Sequence, residues 1–175
     1  MATFGPNERE SLMIGQKPFA VILGCSDSRV PIELIFDQGF GDLFVIRIAG
    51  NIVAQSQIGS IEYAIQELDV KLVLVMGHAN CGAVSSAIEA AKGSVDSRAE
   101  NLGFIVDQIR PALDLDAKEE AQKLLDSSIR ANARWSVKRL KENSKVIDDY
   151  LNNRGLGILP AHFSLKTGKV EFLPD

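Results

Sequence analysis

The sequence predicts an α/β fold, with a mostly parallel central sheet flanked by helices and a C-terminal strand at the sheet edge. Residues 19–24 (FAVILG), 43–48 (LFVIRI) and 72–77 (LVLVMG) are short apolar runs rich in Val and Ile. Runs this short and this apolar read as strands buried on both faces. Helical patterns lie between them, and alternating strands and helices imply parallel pairing through right-handed crossovers. Two further strand-like segments joined by a turn close the chain.

The elements follow in order. Residues 1–18 are short of apolar periodicity and read as an N-terminal arm preceding the first strand. Residues 60–68 and 81–92 read as helices. In the second, Ala83, Val84, Ala87, Ile88 and Ala91 form one apolar stripe. Residues 99–151 read as mostly helical, broken near Pro111, and Gly155 and Gly157 end that region. Residues 157–165 and 169–173 then read as two strands around a turn at Lys166, Thr167 and Gly168. Pro160 has no backbone N–H, so the first of these should lie at an edge or begin pairing after it.

The 175 residues suit one domain spanning 1–175, with a substantial core. Hydrophobic residues at 46% and charged residues at 24% fit a soluble globular chain, and no run approaches a membrane span. A net charge of -4 argues against a nucleic-acid partner, which would favour a basic face. The local basic group Arg130, Arg134, Lys138, Arg139 and Lys141 falls on a predicted helix and reads as a solvated face or an interface rim. Residues 1–16 carry Asn7, Glu8, Arg9 and Glu10 and lack the apolar core of a signal peptide. The expected location is therefore the cytoplasm, where two cysteines point to metal binding or catalysis before a disulfide.

Cys25 follows the first strand in Gly24-Cys25-Ser26-Asp27-Ser28-Arg29, and His78 and Cys81 follow the third in Gly77-His78-Ala79-Asn80-Cys81-Gly82. Functional groups in an open parallel sheet collect at the carboxyl ends of strands, so all three should arrive at one edge. Taken singly, each would be an ordinary buried residue. Together, two thiolates and one imidazole suit a zinc ion, and three protein ligands leave a fourth position as in catalytic sites. Asp27 and Arg29 lie two apart on the same turn. A carboxylate held by a bidentate guanidinium stays ionised and fixed, able to accept a hydrogen bond from an attacking water or to swing onto the metal. His162, the other histidine, reads as a strand or surface residue with no ligand partner nearby.

Cys25-Ser26-Asp27-Ser28-Arg29-Val30 together with His78-x-x-Cys81-Gly82-Ala83-Val84 resembles the zinc signature of the β-carbonic anhydrases. The resemblance extends through Gly41-Asp42-Leu43-Phe44-Val45, Ala49-Gly50-Asn51, Gly59-Ser60-Ile61-Glu62-Tyr63-Ala64 and Thr167-Gly168-Lys169-Val170. It implies a β-carbonic anhydrase-like fold and reversible hydration of carbon dioxide to bicarbonate and a proton. It implies one zinc per chain on Cys25, His78 and Cys81, with Asp27 and Arg29 as the catalytic pair. By position it places Gln16, Phe44 and Tyr63 in the substrate pocket. It also implies self-association as a dimer or tetramer with pockets at the dimer interface.

The sequence departs from the family pattern at Ile48, at Pro160-Ala161 and at Phe163-Ser164-Leu165. Ile22 stands where one bacterial branch has the Trp of a regulatory bicarbonate site, so that regulation is not expected here. A carbonyl sulfide or carbon disulfide hydrolase would carry the same zinc motifs, and a non-catalytic zinc-binding domain is the other alternative.

Overall fold

The computed structural model describes residues 9–10, 12–93, 100–115 and 120–174. Much of the expected N-terminal arm, residues 1–8 and 11, lies outside the described residues. So do residues 99 and 116–119 of the region expected to be helical. The elements are β1 (Ala20–Gly24), α1 (Ile32–Ile35), β2 (Leu43–Arg47), α2 (Gln55–Glu67), β3 (Leu72–His78), α3 (Gly82–Ala91), α4 (Glu100–Ile109), α5 (Ala121–Asn143), α6 (Lys145–Asn153), β4 (Gly157–Phe163) and β5 (Val170–Phe172). The sheet order is β2-β1-β3-β4-β5. The first three pairings are parallel and β5 runs antiparallel to β4 at the edge, as the sequence predicts.

The alternation of side chains along each strand sorts the core. Val21 and Leu23 of β1, Val73 and Val75 of β3 and Ile158 of β4 face Ile61, Ala64, Ile65, Val137, Leu140 and Ile147 from α2, α5 and α6. The intervening residues Ala20, Ile22, Leu74, Met76, Ala161 and Phe163 pack on Val30 and Ile32. β1 is buried at all five positions, whereas β2, at the outer edge, is half-buried from Leu43 to Ile46 and exposed at Arg47. A third cluster gathers at the carboxyl ends of β1 and β3: Cys25, Ile52, Cys81, Val84, Ala87, Ile109 and Ile129 among others.

Two helix boundaries differ from expectation for local reasons. Helix α2 begins at Gln55, a turn before the predicted start, because Gln55, Ser56, Gln57 and Gly59 supply no apolar stripe to read. The long helical region divides at Ser144, whose hydroxyl accepts from the Ile147 N–H at 3.0 Å and so caps α6, a contribution of about 1 kcal/mol. The expected break at Pro111 appears as a 3-10 turn, Arg110–Ala112.

Pro160 corrects one expectation. Strand β4 is internal to the sheet and pairs with β3 from Gly157 onward, through Val75↔Pro160. Pairing with β5 begins only after the proline, at Ala161↔Phe172, and the Pro160 carbonyl accepts from Leu173 N–H at 2.9 Å. The nitrogen and carbonyl of one strand residue point to the same side. The missing N–H therefore faces the place where the β5 ladder has stopped.

Gly77, just before the end of β3, lets α5 come close: a Cβ there would stand 3.1 Å from Ile129 Cγ2 and 3.3 Å from the Ile129 carbonyl oxygen. The helix thereby lies directly over the sheet edge that carries His78.

Candidate metal centre

Strands β1 and β3 are neighbours, paired Gly24↔Met76 at their carboxyl ends. The chain leaves β1 through Cys25. It leaves β3 through His78, turns at Asn80 with φ +56, and enters α3 with Cys81 as the residue before its first turn. The turn is fastened to β4 by a hydrogen bond from Ala79 N–H to the Phe163 carbonyl, 2.9 Å. These local shapes bring one ligand atom each of Cys25, His78 and Cys81 within 4.8 Å of one another. All three side chains are buried.

The His78 ring is fully buried, and its Nδ1 donates to the Ala79 carbonyl at 3.0 Å. That bond leaves the lone pair on Nε2, for which no oxygen or nitrogen partner stands within hydrogen-bond reach among the described residues. A buried acceptor without a partner is costly unless something else meets it, and it is aimed at the two sulfurs. The two neighbouring sulfurs titrate as a pair, their thiols pushed in opposite directions. The hydrogen bond from Cys81 lowers the Cys25 thiol to about 4, against the opposing effect of burial, with smaller help from His78 and the Gly50 and Asp27 amides. The same hydrogen bond, with burial, pushes Cys81 up. Gly50 N–H donates to Cys25 Sγ at 3.3 Å, which favours negative charge on that sulfur. A dication between the sulfurs would favour both as thiolates. Two sulfurs and an unpaired imidazole nitrogen match the soft and borderline donors that zinc takes. The cluster can hold a metal ion.

Asp27 and Arg29 form the expected fork. Arg29 Nε donates to Asp27 Oδ1 at 2.9 Å, Nη2 to Oδ2 at 2.7 Å, and the Arg29 amide to Oδ1 at 2.9 Å. These bonds hold the Asp27 carboxyl well below the usual carboxylate range. Its Oδ2 stands 3.8 Å from His78 Nε2, so the carboxylate borders the cluster. Arg29 Nη2 also donates to the Asn80 carbonyl at 3.1 Å, tying the β1 loop to the β3 turn. Gln122 in turn donates to Asn80 Oδ1 at 3.1 Å.

Gln16, Phe44 and Tyr63 are placed differently. Phe44, on β2, pairs with Val21 of β1, roughly 13 Å along the strand from Cys25 at ~3.3 Å per residue. Tyr63 on α2 is 49% exposed, and its ring centroid lies 6.2 Å from that of Phe44. Gln16 is exposed and precedes the amino end of β1, whereas Cys25 follows the carboxyl end. Within one chain the two aromatic rings lie near each other and stand apart from Cys25, His78 and Cys81.

His162 is a strand residue, 4% exposed, at register with Gly77. It therefore points to the α5 face of the sheet, opposite to His78 in the next position. Arg130 Nη2 lies 3.4 Å from its Nδ1, and Asp126 Oδ1 lies 3.5 Å from its Nε2. Burial, with the Arg130 charge, lowers its pKa. The basic group on α5 is dispersed among separate contacts. Arg130 binds Asp126 and Glu171, Arg134 donates to the Pro174 carbonyl, and Arg139 donates to Gln108. Lys138 sits 3.7 Å from Glu142 and 5.4 Å from the Trp135 ring centroid.

Several residues that support the site carry little mark in the sequence. The 3-10 turn Ala49–Asn51 places Gly50 at φ +67. Asn132 donates to the Gly50 carbonyl at 2.8 Å and Ser136 to the Asn51 carbonyl at 3.0 Å. Both are buried polar residues on a helix face otherwise made by Ile129, Ala133, Val137 and Leu140, and that interruption is the signal by which they can be found. Ile48, where the family pattern has an amide, packs between two core clusters, and Ile22 is buried in the sheet.

Comparison with known proteins agrees with this geometry. A family model described as carbonic anhydrase matches residues 20–170. The chain is 36% identical over 167 residues to carbonic anhydrase 2 of Mycobacterium tuberculosis, covering 93% of this chain and 78% of that protein. It is 37% identical over 171 residues to a carbonic anhydrase of Mycolicibacterium smegmatis, covering 95% and 80% respectively. Among solved structures it resembles a tetrameric β-carbonic anhydrase from Sordaria macrospora, with a TM-score of 0.85 at 27% identity, covering 97% of this chain and 87% of that one. The β-carbonic anhydrase CcaA gives a TM-score of 0.83 at 27% identity, covering 97% and 82%. The ligand cluster, the parallel sheet that assembles it and these relatives agree: the chain belongs to the β-carbonic anhydrase family.

Proposed function

We infer that this chain is a zinc-dependent carbonic anhydrase that hydrates carbon dioxide to bicarbonate and a proton. The observation that carries the reading is the gathering of one ligand atom each from buried Cys25, His78 and Cys81 within 4.8 Å of one another, beside a carboxylate held by Arg29. Zinc on those three residues supplies a Lewis acid that brings the ionisation of water into the working pH range. Asp27, kept ionised by Arg29, accepts a hydrogen bond from the attacking water and so aims its lone pair at carbon. Cys25 and Cys81 as thiolates cancel the charge of the dication, so activity rises through the neutral-to-alkaline range.

Gln16, Phe44 and Tyr63 act as substrate-pocket residues in this reading. Phe44 on β2, the outer strand of the sheet, and Tyr63 on α2 beside it stand apart from Cys25, His78 and Cys81 of their own chain. Self-association across that edge would turn one chain's aromatic pair toward its partner's cluster and enclose a small apolar gas there. The tetrameric Sordaria relative supports assembly of this kind. The whole chain acts as one domain. Among the described residues no helix is long and apolar enough to cross a membrane, in keeping with a cytoplasmic enzyme.

The test is stopped-flow hydration of carbon dioxide against pH, alongside metal analysis. One zinc per chain with a rate that climbs from neutral to alkaline pH is expected. A rate that is flat with pH would overturn the two-thiolate argument. Bound zinc without hydration would leave a non-catalytic zinc domain, and faster turnover of carbonyl sulfide than of carbon dioxide would reassign the substrate.

A further inference from the structure

We propose that Arg47 is a positioning residue that clamps the loop after β1 and so sets where Cys25 and Asp27 stand. Arg47 is the last residue of β2 and lies opposite Gly24, the last residue of β1. Beyond that pair the ladder ends, and the β1 loop has no neighbouring strand to take its carbonyls. The Arg47 guanidinium takes two of them: Nε donates to the Cys25 carbonyl at 3.0 Å and Nη2 to the Asp27 carbonyl at 2.6 Å.

These are alternate residues of one loop, and they are the two whose side chains border the cluster. Arg29 fixes the Asp27 carboxylate from its own side, while Arg47 fixes the backbone that carries it. The Asp27 carbonyl also accepts from Val30 N–H at 3.0 Å within the loop, but among the described residues Arg47 is the one side chain that joins both carbonyls to the sheet. A guanidinium presents its donors in a planar fork matched to two acceptors, whereas an ammonium is a point donor that satisfies one geometry at a time. Outer contacts of this type, which orient ligands without touching the metal, typically change metal affinity or activity by about 10–100-fold when lost.

This inference rests on the reading of Cys25, His78 and Cys81 as a zinc site, but not on the substrate. The zinc-loaded proteins are compared for the rate at which a chelator in excess removes zinc under native conditions, with melting temperature measured in parallel. The variants are Arg47→Gln, Arg47→Lys and a control, Ile46→Ala, which truncates a partly buried side chain packed on the core from the same strand. Release about 10–100-fold faster in Arg47→Gln, an intermediate rate in Arg47→Lys and a near wild-type rate in Ile46→Ala are expected.

Release from Arg47→Gln within twofold of wild type would overturn the proposal. So would equal acceleration in Ile46→Ala at a matched loss of melting temperature, which would make the effect general destabilisation. If Arg47→Gln does not fold, Arg47→Lys decides by the same criterion. Wild-type protein that holds zinc yet hydrates no carbon dioxide would overturn the activity and leave this inference intact; wild-type protein that holds no zinc would overturn both.

Discussion

Replacing Gly50 by alanine tests how the sheet edge holds its ligands. Gly50 adopts φ +67, a conformation that costs an L-residue about 1–2 kcal/mol. An added Cβ would also stand 2.7 Å from Ile109 Cδ1 and 3.1 Å from Ala83 Cβ. The Ile109 methyl ends a flexible side chain and can turn away, while Ala83 is fixed to α3. The steric cost therefore falls at the low end of the ~1–3 kcal/mol range for overpacked sites. Together the two effects come to about 2–4 kcal/mol. For a chain of this length each kcal/mol shifts the melting temperature by about 2–4 °C, so Gly50→Ala should melt roughly 5–15 °C lower.

Urea unfolding of the metal-free proteins measures the difference directly, with an unchanged m-value as the check that the denatured state is the same. Gly59→Ala serves as the comparison: it lies inside α2 with nothing within 4 Å of an added Cβ. There the loss of unfolded-state freedom should stabilise by about 0.4–1 kcal/mol. A Gly50→Ala cost under about 0.5 kcal/mol would refute the reasoning, since it would mean the turn relaxes freely and does not hold Gly50 N–H against the Cys25 sulfur.

Asp27→Asn should keep zinc content near wild type and lower hydration by at least tenfold, because the amide cannot hold a negative charge for Arg29 to fix; metal analysis and stopped flow check it. Asp27 also has a depressed folded-state pKa. Its contribution to stability is therefore complete above about pH 4, the unfolded value, and is lost as pH falls further; Asp27→Asn should remove that part of the acid destabilisation. Cys81→Ala should lose the metal and lower the melting temperature of protein purified with zinc, measured by metal analysis and calorimetry. His162 has a lowered folded-state pKa, so the unfolded chain binds the proton first and stability falls as pH drops below about 6.5. His162→Gln should flatten the unfolding free energy between neutral pH and about pH 5, where wild type declines; an unchanged slope in urea titrations would contradict the buried neutral ring.

The sheet and the gathering of Cys25, His78 and Cys81 were legible in the sequence because each rests on a local rule. Val- and Ile-rich runs form central strands, and strand ends collect chemistry, so Cys25, His78 and Cys81 could be brought to one edge without knowledge of contacts. Asp27 and Arg29 were readable for the same reason, lying two residues apart on one turn. The start of α2 was hidden because its first turn is polar and faces solvent. The internal position of Pro160 was hidden because tolerance of a missing N–H depends on where β5 stops. Arg47, Asn132 and Ser136 were illegible as site residues, since each acts on backbone groups far away in the chain. The separation of Phe44 and Tyr63 from the ligands is likewise a fact of three dimensions that no spacing expresses.

The adjacency of β1 and β3 has a consequence for biogenesis. The chain makes β2 and α2 before it returns to lay β3 beside β1, so the three-sided chelate does not exist until that crossover has closed. A nascent chain that has synthesised Cys25 but not Cys81 has no complete chelate to offer. An ion held there would stabilise by mass action those molecules in which the crossover has closed. Starvation for the ion should then lower the lifetime of finished molecules while leaving the early steps of their formation unaltered.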